Sequence, residues 1–142
     1  SLESTKPYHL EYKGSLENAF NEVKRIIVRN GFSIQNDDSK AGILTTNPKL
    51  LDRDERFYSW SPFAPFTQNE SGRLSFVFTQ ETSEKVKIEF YAKITTEEKD
   101  YRAVENGLKY EGKSVAEKSA EQGHPLPMKF RKIFEEAGLK II

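Results

Sequence analysis

The sequence predicts an α+β fold in which two helices cover one face of an antiparallel sheet, with elements in the order β-α-β-β-β-β-α. Three observations carry this. Leu16, Ala19, Phe20, Val23, Ile26 and Ile27 recur at the spacing of a one-sided helix. Leu126, Phe130, Ile133, Phe134 and Ala137 form a second such stripe. Between them, Leu74, Phe76 and Phe78, then Val86, Ile88, Phe90, Ala92 and Ile94, follow the two-residue period of half-buried strands. Strands in meander order between amphipathic helices suit a sheet with one covered face and one wet face.

Each element follows from local chemistry. Residues 1–7 are polar, end in Pro7 and read as a loose arm. Tyr8, Leu10 and Tyr12 alternate with His9 and Glu11 as a short strand. Ser15 is a good N-cap for the first helix, and Asn30-Gly31 ends it. Phe32 and Ile34 begin a strand, Asn36 to Lys40 is turn chemistry with Asp37-Asp38 at its centre, and Gly42 precedes the strand Ile43–Thr46. Residues 47–72 show no periodicity and read as a long connection. The segment 81–85 turns between the two alternating runs, which makes them a hairpin. Residues 97–124 are rich in Glu and Lys and broken by Gly107, Gly112 and Gly123, so partial helix near 114–121 and mobility elsewhere are expected. Pro125 or Pro127 opens the last helix and Gly138 closes it.

Composition narrows the function. A chain of 142 residues is one α+β domain by default. With no cysteine, it holds neither a disulfide framework nor a thiolate metal site. Lys+Arg and Asp+Glu number 22 each, so the basic excess or stripe of a nucleic-acid binder is missing. No segment approaches the ~20 apolar residues of a membrane span. The first residue is Ser1 rather than Met, which leaves room for a removed signal peptide or an upstream lipid-bearing cysteine.

Chemistry-bearing patterns are sparse. His9 and His124 have no neighbouring His, Cys or carboxylate at metal-ligand spacing and read as surface or locally bonded residues. Asp52, Asp54 and Glu55 stand close together but lack the glycine and distal glutamate of a calcium loop, so they read as solvated loop charges. Nucleophile-elbow and phosphate-loop motifs are absent, and no cofactor is implied. Asn69-Glu70-Ser71 fits a glycosylation acceptor as a single short match. The best functional candidate is the aromatic run Phe57, Tyr58, Trp60, Phe63 and Phe66. Burying one such ring is worth about 1.5–3 kcal/mol, so these rings either plug the open end of the sheet or form a partner-binding patch anchored by Trp60 and Tyr58.

The stretch 15–46, with Gly31-Phe32 and Gly42 through Thr46 as its motif, resembles the BamC-like lipoproteins of the outer-membrane β-barrel assembly machinery. That resemblance implies a helix-grip arrangement, a curved antiparallel sheet holding a helix. It also implies a non-enzymatic accessory domain on the periplasmic face of the cell envelope, with another envelope protein as partner and a possible lipid anchor. The alternative is a carrier of a small apolar ligand, its cavity lined by Phe76, Phe78, Phe90 and Ile94.

Overall fold

A computed structural model describes residues 7–57 and 69–142. The chain runs β1 (Tyr8–Lys13), α1 (Leu16–Arg29), β2 (Ile34–Asp38), β3 (Ile43–Thr46), β4 (Lys49–Leu50), a 3-10 turn (Arg53–Glu55), β5 (Asn69–Thr82), β6 (Lys85–Val104), β7 (Gly107–Ser119), α2 (Pro125–Glu136) and β8 (Lys140–Ile141). All eight strands join one antiparallel sheet. Its main path is β2-β3-β5-β6-β1-β8, with β4 on β5 and β7 on β6.

The helices form where the sequence stripes place them. Ser15 caps α1 by accepting from the Asn18 N–H, and the stripe Ala19, Phe20, Val23, Ile26 and Ile27 is buried. Cross-strand register puts Phe76 opposite Phe90 and opposite Leu44, and Ile88 opposite both Phe78 and Leu10, so these side chains share one face. Both helices pack there. Phe20 of α1 meets Phe78 with ring centroids 5.2 Å apart, and Phe134 of α2 meets Phe76 and Phe90 edge-on at 5.8 and 5.7 Å. Such tilted and edge-on contacts suit the ring quadrupoles.

Two glycines are required by close approach. Gly42 has φ +73°, and a Cβ there would run into the carbonyl oxygen of Phe78. Its own carbonyl accepts from the Phe78 N–H at 2.8 Å, extending the β3–β5 pairing. A Cβ on Gly72 would lie 2.6 Å from Leu126 and 2.9 Å from Leu51, so β5 is bare where the first turn of α2 presses on it. Thr46 is fully buried and accepts from the Leu74 N–H at 2.9 Å, which satisfies that donor as the chain leaves β3 for β4.

The structure corrects four sequence expectations. Asn36, Asp37 and Asp38, expected in a turn, belong to strand β2 and pair with β3. The stretch 47–72 is not one loop: β4 and the 3-10 turn occupy its first part, and β5 begins at Asn69 rather than near Leu74. The last helix is followed by a short strand, β8, which pairs with β1. The expected helix near 114–121 is strand instead, because residues 97–119 continue β6 and return as β7. Periodicity hides this hairpin, since both of its faces are largely solvent-exposed and a bulge between Asp100 and Tyr101 shifts the alternation. Residues 1–6 of the expected arm lie outside the described residues.

Candidate functional site

The 3-10 turn places three carboxylates together, but not as a solvated loop. Asp52 and Asp54 are exposed, whereas Glu55 is fully buried. Its Oε1 accepts from Lys49 Nζ at 2.7 Å and from the Asp52 N–H at 2.9 Å. Its Oε2 accepts from Lys49 Nζ at 2.9 Å and from Lys129 Nζ at 3.0 Å. Lys49 also reaches Asp52 at 3.3 Å and stands 5.0 Å over the Phe32 ring, and Lys129 reaches Asp54 at 3.1 Å. Burial alone would lower the Lys129 ammonium below its ordinary value, but its bonds to Glu55 and Asp54 outweigh burial and hold it raised.

One oxygen from each of Asp52, Asp54 and Glu55 lies within 4.8 Å of the others. Two ammonium groups already stand among these oxygens, so the arrangement is a clamp rather than an open cation cage. It ties the turn to β4 through Lys49 and to α2 through Lys129, and so fixes the point from which the aromatic run departs. Sequence spacing could not reveal it, because Glu55 and Lys129 are 74 residues apart.

Beyond the clamp, an open cleft of about 410 Å³ lies between the segment that leads into α2 and the root of the β6–β7 hairpin. Ile94 and Thr96 of β6, Ser114 and Ala116 of β7, Glu70, Phe57 and His124 line it. His124 is 3% exposed. Its Nδ1 accepts from the Leu126 N–H at 3.1 Å, which leaves the proton on Nε2, 3.3 Å from Glu70 Oε1. Phe57 lies edge-on to the imidazole at 5.0 Å and is half exposed. The other aromatic candidates, Tyr58, Trp60, Phe63 and Phe66, lie outside the described residues. His9 sits on β1 opposite Glu89, on the sheet face away from the helices, with Nδ1 buried and without a hydrogen-bond partner among the described residues. The two histidines therefore do not converge.

The cleft wall continues into an arm. Asn69 at the start of β5 pairs with Glu97, so beyond that point β6 and β7 pair only with each other among the described residues. The ribbon projects about 20 Å at the usual rise per strand residue. Tyr101 stands opposite Tyr110, and Ala103 opposite Leu108. The two tyrosine rings meet edge-on at 5.6 Å. Leu108, Tyr110 and Val115 are each more than half exposed. Salt bridges from Arg102 to Glu111 at 2.8 Å and from Lys113 to Glu97 at 3.2 Å flank them.

Of the residues proposed for an apolar cavity, Phe76, Phe78 and Phe90 are packed against helix and sheet, and Ile94 alone reaches the cleft. Comparison with known proteins finds no matching family, no similar curated sequence and no similar solved structure.

Proposed function

We propose that this chain is a non-enzymatic interaction domain whose β6–β7 arm docks onto another protein. One observation carries the reading: a two-stranded ribbon extends past the sheet with Tyr101, Leu108, Tyr110 and Val115 exposed. An isolated hairpin is marginal in water, and tyrosine is among the residue types that dominate interface hot spots. The arm joins the aromatic run as a candidate docking surface, and Phe57 of that run lies at the same cleft. The resemblance noted above supports an envelope assembly as the setting, with a helix-grip-like sheet as scaffold and a lipid anchor upstream.

The test is affinity capture from envelope fractions of the source cell, comparing the wild type with the triple variant Tyr101→Ser, Leu108→Ser, Tyr110→Ser. A partner held by the wild type and lost by the variant, with the melting temperature within about 4 °C, is expected. Identical capture by both would overturn the reading.

The cleft favours a second reading, a carrier of a small, partly apolar ligand, since its volume falls in the ~300–1,000 Å³ range of ligand pockets. Ala116→Phe fills the cleft from β7. If the domain is a carrier, that variant loses binding of an apolar fluorescent dye that the wild type retains; if neither protein binds the dye, the carrier reading fails.

A further inference from the structure

The first turn of α2 is capped in an unusual way. A helix begins with N–H groups that have no partner within the helix. Here Pro125 and Pro127 have no N–H, and the Met128 N–H already bonds the His124 carbonyl at 3.2 Å. That leaves the Leu126 N–H as the one donor in the turn that needs an outside acceptor. Its acceptor is Nδ1 of His124 at 3.1 Å. The oxygen of an Asn, Asp or Ser cap keeps its lone pairs at neutral and mildly acid pH, but an imidazole nitrogen accepts only while the ring is neutral.

We infer that His124 is a proton-sensitive latch on α2: protonating the ring removes the acceptor of the Leu126 N–H and loosens the helix start behind His124, which itself lines the cleft. The geometry gives the cation somewhere to go. Glu70 of β5 receives Nε2 at 3.3 Å and favours the charged ring. Against it stand the positive end of the α2 dipole and the new donor–donor contact at Leu126. The other charged groups at the cleft are Lys118 of β7 and Glu121 before α2, and Phe57 packs on the imidazole in a T-shaped contact. Leu126 is itself fully buried against the bare Gly72 of β5, so movement of the turn is felt at the root of the arm.

The test is NMR on the full chain between about pH 8 and 5, following the His124 ring signals and the hydrogen-exchange protection factor of the Leu126 amide. Protection is expected to fall about five- to tenfold in step with ring titration. In His124→Asn, whose side-chain oxygen caps without titrating, protection should stay flat across the range. In Glu70→Gln, the ring should titrate at lower pH with the same coupling to Leu126. Protection that ignores the titration of His124, or that falls equally in His124→Asn, would overturn the inference. If His124→Asn does not fold, the Glu70→Gln series decides, because an unmoved midpoint there removes the proposed counter-charge.

Discussion

At the scale of single residues, Glu55 is the most consequential side chain. It is a fully buried carboxylate held by two lysines and one backbone N–H. Buried charges are tolerated only when paired, and removing one member leaves the rest without compensation. Glu55→Gln keeps the shape but strands Lys49 and Lys129 beside a neutral amide. The expected loss is about 3 kcal/mol in urea unfolding, with an unchanged m-value. Replacing the exposed Asp54, whose bond to Lys129 faces water, should cost under about 1 kcal/mol in the same assay. That contrast separates the clamp from the loop charges that "LDRDE" suggests when read as sequence alone. Burial of one acid among three neighbours is a tertiary fact, decided by Lys129 of a distant helix, and no spacing rule reaches it.

At the scale of elements, legibility in the sequence tracks one-sided burial. α1, α2 and the inner halves of β5 and β6 each bury one face, which leaves a period of 3.6 or 2 in the residues. β7 buries neither face, so Leu108, Tyr110 and Val115 fall among charges without a rhythm. What holds β7 is its ladder to β6 and its cross-strand pairs, which are invisible until the partner strand is known. The arm is also energetically separable. Replacing residues 99–113 with a two-residue Asn-Gly turn, which closes the pair of residues 98 and 114, should leave the core intact, because no side chain of the central cluster comes from that segment. The shortened protein is expected to keep a cooperative thermal transition within about 5 °C of the parent while losing partner capture. A collapse of the transition would make the arm part of the fold.

At the scale of the whole molecule, the division of labour is spatial. One sheet face and two helices hold an aromatic core of Phe20, Phe76, Phe78, Phe90, Phe130 and Phe134. The other face stays polar, with ion pairs such as Lys85 to Glu11, where Lys85 bonding holds the carboxyl below its usual range. The candidate surface sits at one end, where the clamp, the latch and the arm meet. Equal numbers of acidic and basic residues leave no net field to steer a partner, so docking onto the arm should depend weakly on salt.

The pairing of β1 with β8 carries one more consequence. Leu10 lies opposite Ile141 and Glu11 opposite Lys140, and the Ile142 N–H donates to the His9 carbonyl, so the ends of residues 7–142 leave the sheet side by side. Tension between a tether before Tyr8 and a load after Ile142 would open this seam one bond at a time, like a zip. β8 would peel off first, and α2 would feel the pull long before the long central strands were sheared.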